Sequence, residues 1–253
     1  MKMLISICLA FYLCVLPLSS SFADVNTFFE LPCAENELKF IFIKESTIII
    51  KVANKTILID PSSNIRKETI EKLESNGLDL LMFTHDHYDH YEYNAAMDIF
   101  NATGAHIIAD SFVASTLKNQ IPKEKLTVSS KKGHYVLDGI EVTAIKGKHI
   151  GPIYLYHIKI GDIRIFHGGD SSYVSLKKFP SDVAFVPTGE PSPTCSPKKA
   201  FKMARDMKPQ VAVAIHGSPS QKNKFKKKME ADLSATSVVI PNYFEPVTIT
   251  LKK

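Results

Sequence analysis

Cysteine is scarce in this chain, and long apolar runs are scarcer. Only Cys8, Cys14, Cys33 and Cys195 occur in 253 residues, too scattered for the thiolate cluster of a structural zinc site. Cys8 and Cys14 fall in an opening segment that reads as a leader. Cys33 and Cys195 do not make a disulfide framework, and they leave one bridge that the sequence neither requires nor forbids. After residue 23 nothing approaches the ~20 apolar residues of a membrane span. No stretch has the composition of a disordered linker, and no sequence repeat shows.

The single unbroken apolar stretch follows Lys2, runs from Met3 to Leu16 and stops at Pro17. Ser21 and Ala23 then stand three and one residues before a cut after Ala23, the pattern of a secretory signal peptide. The expectation is a signal over residues 1–23, a single domain over 24–253, and a secreted or periplasmic location without stable membrane insertion once the signal is cleaved. An uncleaved anchor is the competing reading. Removing the leader takes Lys2 from the 31 basic residues and none of the 26 acidic ones, which leaves mild basicity. The densest patch, Lys222, Lys224, Lys226, Lys227 and Lys228, reads as a solvated helix face rather than a polymer-binding surface.

Short β-branched runs at Lys39–Ile43, Thr47–Val52 and Thr56–Ile59, with Asn54-Lys55 as a turn, predict a β-meander. A helix over Ile65–Leu73 and a buried strand over Asp79–Phe83 follow. Helices at Glu92–Phe100 and Ser111–Leu117 flank a strand at Ala105–Ala109. Lys125–Ser129, Tyr135–Leu137 and Ile140–Ile145 return to strand character. A second β-rich half follows, with strands at Ile153–Ile160, Ile163–Phe166, Val183–Val186 and Val211–Ile215 and helices at Pro197–Met207 and Gln221–Leu233. Two sheets packed face to face with helices outside satisfy this order.

The strand at Asp79–Phe83 delivers Thr84-His85-Asp86-His87-Tyr88-Asp89-His90. In extended chain, residues two apart point the same way, so His85 and His87 converge while Asp89 and His90 face elsewhere. Four potential ligands within six residues is far denser than nine scattered histidines would give. Imidazole and carboxylate ligands without thiolates leave room for water on the metal, as catalytic sites do.

This motif and those that follow resemble the metallo-β-lactamase superfamily, from about Thr47 to the end of the chain. Ile57-Leu58-Ile59-Asp60-Pro61 looks like its first motif and Thr84–His90 like its second. His149 stands where a third ligand motif is expected, Ile165-Phe166-His167-Gly168-Gly169-Asp170 resembles the strand bearing a bridging aspartate, and His216 is similar to the last motif. The resemblance implies an α+β, four-layer αββα sandwich. It also implies that His85, His87 and His149 hold one ion, that Asp89, His90 and His216 hold another, and that Asp170 bridges them. Asp60 would act from behind the ligands, and His167, three residues before Asp170, would line the site, stand behind the ligands or serve structure alone. His134 and His157 compete with His149 for its place, and the glycines beside Asp170 and His216 would let backbone approach the metals.

The implied cofactors are two divalent ions, zinc first with manganese or iron as alternatives. Asp89 and Asp170 would be the catalytic carboxylates. Together with a bridging hydroxide they still leave the site net cationic, which suits hydrolysis of ester, lactone or phosphodiester bonds. The chain is most similar to ascorbate-6-phosphate lactonase and related metal-dependent hydrolases, and it departs from them at Tyr91-Glu92 and Glu190. A small-molecule substrate is expected, with no nucleic acid, and the oligomeric state is not specified. The rival readings are a secreted β-lactamase and a non-catalytic metal or ligand binder on the same fold.

Overall fold

The computed structural model describes residues 25–30, 32–131 and 133–252; the predicted signal peptide lies outside them. In the first half, α1 (Val25–Glu30) precedes β1 (Glu37–Lys44), β2 (Thr47–Val52) and β3 (Lys55–Ile59). Then come α2 (Lys67–Asn76), β4 (Leu80–Phe83), α3 (Tyr93–Thr103), β5 (His106–Ala109), α4 (Ser111–Leu117) and β6 (Leu126–Val128). The second half carries β7 (His134–Leu137), β8 (Ile140–Lys146), β9 (Tyr154–Ile160), β10 (Ile163–His167) and β11 (Val183–Pro187). It continues with α5 (Pro197–Met207), β12 (Val211–Ile215), α6 (Pro219–Asp232) and β13 (Ser237–Val239), and β14 (Pro246–Thr250) closes it. The β2–β3 turn falls at Ala53-Asn54, one residue before its predicted place.

The strands form two seven-stranded sheets, ordered β14-β1-β2-β3-β4-β5-β6 and β13-β12-β11-β10-β9-β8-β7. Each begins as an antiparallel meander and continues in parallel strands, from β3 to β6 in one sheet and from β10 to β13 in the other. The likeness of the two halves is therefore architectural, and β14 crosses back to pair with β1.

Period-two alternation explains why these strands read as almost continuous apolar runs: both faces are covered. Along β2, Ile48, Ile50 and Val52 enter the core between the sheets while Ile49 faces the helices. On β12, Val211, Val213 and Ile215 face inward, and Ala212 and Ala214 lie under the helical layer that contains Phe201 and Phe225. Three apolar layers separate four structural ones, the αββα order expected from the sequence. Across the middle layer Phe40 meets Phe185 edge to face, with ring centroids 5.2 Å apart.

Local signals set the helix ends. Ser196 caps α5 ahead of Pro197, Ser218 and Gln221 form a capping box on α6, and Asp110 caps α4. The lysine run is not one solvated face. Lys222 is buried on α6 with Phe225 and Met229, its ammonium 5.0 Å from the Phe42 ring centroid, and Lys228 pairs with Asp232.

Candidate metal centre

All the candidate ligands emerge at one edge of the sandwich, where the parallel strands end. Asp60 follows β3, His85 to His90 follow β4, Asp170 follows β10, His216 follows β12, and His149 lies between β8 and β9. Ligands of open α/β sheets gather at the carboxyl ends of strands for the same topological reason. Backbone hydrogen bonds join the two sheets here: Tyr154 N donates to Thr84 O over 3.0 Å and His216 N to Glu45 O over 3.1 Å.

The ligand atoms of His85, His87, His149 and Asp170 lie within 4.8 Å of one another, as do those of Asp89, His90 and His216. His149 Nε2 is 3.1 Å from His87 Nδ1, and His216 Nε2 is 3.0 Å from His90 Nε2. Asp170 stands between the groups, with Oδ2 3.2 Å from His149 Nε2 and 3.9 Å from His90 Nε2. Its Oδ1 is 3.5 Å from His85 Nε2. His134 instead meets Thr143 on β8, His157 meets the Pro180 carbonyl, and His106 meets Thr127.

Partners behind the rings fix which nitrogen faces inward. His90 Nδ1 donates to Asp60 Oδ2 over 2.7 Å, while Asp60 also accepts from the Thr84 amide and hydroxyl, each at 2.7 Å. His85 Nδ1 lies 3.1 Å from Thr84 Oγ1 and His149 Nδ1 lies 2.9 Å from Thr194 Oγ1. His85, His90 and His149 therefore turn Nε2 to the centre, and His87 turns Nδ1. Second partners of this kind orient metal-binding histidines.

Burial drives the electrostatics. It pushes His85, His90 and His216 well below the usual imidazole range, assisted by neighbouring imidazoles, and brings His149 down to about 4. Burial and the Asp89 carboxylate push Asp170 up to about 8, and burial lifts Asp60 to about 6. Neutral imidazoles facing carboxylates short of positive charge match the needs of a bound cation. Among the described residues His85 Nε2 and Asp170 Oδ1 are buried without a hydrogen-bond partner. These facing acceptors have no protein donor, so the donor set fits a divalent ion.

The turn residues Glu45 and Ser46, given no role by the sequence, and Thr47 at the start of β2 brace three loops of the site. Glu45 O holds the His216 amide, and Thr47 Oγ1 donates to Asp60 O over 2.6 Å. Ser46 Oγ donates to Gly169 O over 3.0 Å. His167 touches no candidate ligand directly. Its Nδ1 accepts from Gly169 N, shaping the approach to Asp170. Thr194 was missed as well, and no local pattern marks either set.

The glycines beside the candidate ligands also meet a need within the protein itself. Gly169 has φ +53° and a Cβ there would crowd Thr84, while Gly217 has φ +125° and a Cβ would lie 2.2 Å from Thr188 Oγ1. Protein neighbours and left-handed backbone require them. Both cysteines among the described residues are free: Cys33 lies beside the β1–β2 backbone, and Cys195 donates to Asp170 O. The Cys33–Cys195 bridge is absent. Tyr88 and Ile150, each next in sequence to a ligand, are 82% and 62% exposed. A cleft of about 630 Å³ lined by Val52, Ile160, Gly161 and Leu251 lies at the opposite edge and contains none of the ligands.

The family model described as a beta-lactamase superfamily domain matches residues 39–216, which run from within β1 to just past β12 and include every candidate ligand. A UPF0173 metal-dependent hydrolase of Thermococcus onnurineus is 30% identical over 179 residues, covering 65% of this chain and 78% of that protein. Its counterpart in Thermococcus kodakarensis is 28% identical, covering 71% and 84%. Among solved structures, Igni18, a metallo hydrolase of Ignicoccus hospitalis, superposes with a TM-score of 0.72 at 23% identity, covering 85% of this chain and all of that one. The Bacillus subtilis metallo-beta-lactamase fold protein YhfI gives 0.66 at 15% identity, with 85% of this chain covered. With its two sheets, its ligand-bearing strand ends and this match in sequence, the chain belongs to the beta-lactamase superfamily domain family.

Proposed function

We propose that this chain is an exported, single-domain metal-dependent hydrolase that uses two divalent ions on a small molecule with an ester, lactone or phosphodiester bond. The observation that carries the reading is Asp170, a buried carboxylate between two groups of ligands and facing the unpartnered His85 Nε2. The relatives named as metal-dependent hydrolases support the reaction class.

Two ions, zinc first, supply Lewis acidity and a water-derived nucleophile at neutral pH when bound. His85, His87, His149 and Asp170 would hold one of them, and Asp89, His90 and His216 the other. Asp60 keeps the His90 proton on Nδ1, and Thr84 and Thr194 give His85 and His149 the same orientation. Asp170 and Asp89 bring negative charge to the centre, and burial keeps water from competing for the imidazoles.

Elemental analysis of the purified protein should find about two ions per chain. A panel of lactones, esters and phosphodiesters should show turnover that chelation removes. Two ions without turnover on a wide panel would leave a metal binder, and β-lactam hydrolysis would favour the β-lactamase reading. Export is tested by N-terminal sequencing, with the mature chain starting at Asp24; a start at Met1 would leave an anchored protein.

A further inference from the structure

Glu45 opens the two-residue loop between β1 and β2, and its φ of +48° lies in the left-handed region. Glycine or asparagine is the usual occupant there, because a Cβ is crowded at a cost on the order of 1 kcal/mol. A side chain held in such a conformation points to a role beyond the turn. The Glu45 carboxylate faces inward: Oε2 lies 3.6 Å from His216 Nδ1, a buried nitrogen without a hydrogen-bond partner. The Glu190 backbone, the stacked His90 ring and Asp89 also face that imidazole, and Lys44, Lys222 and Asp89 surround Glu45.

A carboxylate behind one ring nitrogen fixes the ring and makes the opposite nitrogen a stronger ligand. His90 also has a carboxylate behind it, Asp60, which accepts from Nδ1 at 2.7 Å, while Glu45 stands behind His216 at ion-pair distance. Both histidines belong to the Asp89, His90 and His216 group. In the other group His85 and His149 have neutral hydroxyl partners, Thr84 and Thr194. The two positions share Asp170, but one has Asp89, Asp60 and Glu45 around it as well. In a buried site this added negative charge attracts a divalent ion strongly.

Resting on the two-ion reading above, we propose that Glu45 is a positioning residue for His216. Together with Asp60 it makes the Asp89, His90 and His216 position the tighter of the two, filled first as metal is added. The contact from Glu45 O to His216 N is made by main-chain atoms, so Glu45→Gln tests the side chain alone.

The experiment is a calorimetric titration of the chelator-stripped full-length protein with Zn²⁺, alongside Glu45→Gln, His216→Ala and His149→Ala. The wild type should bind one ion tightly and a second more weakly. His216→Ala should remove the tight step and His149→Ala the weak one. Glu45→Gln should weaken the tight step about 10- to 100-fold, spare the weak one, and leave the melting temperature of the metal-free protein unchanged. Two ions of equal affinity, the reverse order of loss, or an unaltered tight step in Glu45→Gln would overturn the proposal and leave the two-ion reading standing. A single bound ion in the wild type would remove both.

Discussion

His167 Nε2 donates to the carbonyl of Ser46 over 3.1 Å, joining the end of one sheet to a turn of the other across 121 residues of sequence. Ser46 Oγ returns a bond to Gly169 O, and Gly169 N donates to His167 Nδ1, so three residues form a closed ring of hydrogen bonds. The ring fixes the tautomer of His167 with its hydrogen on Nε2. It also sets the backbone immediately before Asp170.

Ser46→Ala should therefore act on stability and on the metal centre together. It leaves the buried Gly169 carbonyl without its donor, which costs about 1–3 kcal/mol. Urea unfolding in chelator and metal content measured in parallel would check this; unchanged values in both would mean that the ring is dispensable.

Asp170→Ala should abolish hydrolysis and lower bound metal while the core stays folded. The loop does not depend on the carboxylate for its shape, because Ser192, Thr194 and Cys195 all bond to the main-chain carbonyl of residue 170. Far-ultraviolet circular dichroism and elemental analysis would report the two effects separately. Retained turnover would remove Asp170 from the reaction.

Cys195 should resist thiol reagents in the folded protein at pH 8, since burial pushes its thiol up to about 12. Once the mature chain is denatured, both Cys33 and Cys195 should react. A count of zero under those conditions would indicate the bridge that the structure lacks.

Asp110, which is not a candidate ligand, supplies a pH test. Burial pushes its carboxyl from 3.8 up to about 6, against the opposing hydrogen bonds from the Phe112 and Val113 amides. A raised folded-state value means that the protonated form favours folding. That contribution is complete below about pH 4 and is lost as pH rises through 6. Asp110→Asn keeps an N-cap without the buried charge. In chelator it should match the wild type near pH 4 and be more stable by about 1–2 kcal/mol at pH 7. The reverse trend in unfolding free energy would contradict the assignment.

Phe185→Ala, in the layer between the sheets, should cost about 3–5 kcal/mol, because it opens a cavity against Phe40. Chemical denaturation would measure it, and a loss below about 1 kcal/mol would show that the core refills the space.

The fold was legible wherever its determinants were local. Ser111–Leu117, Pro197–Met207 and Val211–Ile215 have the bounds read from sequence, since caps and apolar periodicity lie within each segment. The candidate ligands could be found because each follows an apolar strand in a compact motif. Glu45, Ser46 and Thr194 could not, because their partners lie 121, 123, 171 or 45 residues away, or across the sheets, and a polar turn carries no mark of what it will face. Lys222 was hidden by its neighbours: four other lysines within seven residues gave the segment the look of a solvated face, while helical geometry turned this one inward.

Tyr88 and Ile150 adjoin His87 and His149 in sequence yet remain largely in solvent. Replacing either would disturb little packing, whereas the neighbouring His149 is held from behind by Thr194. Sequence change at these two surface positions therefore leaves the buried framework behind the candidate ligands as it is.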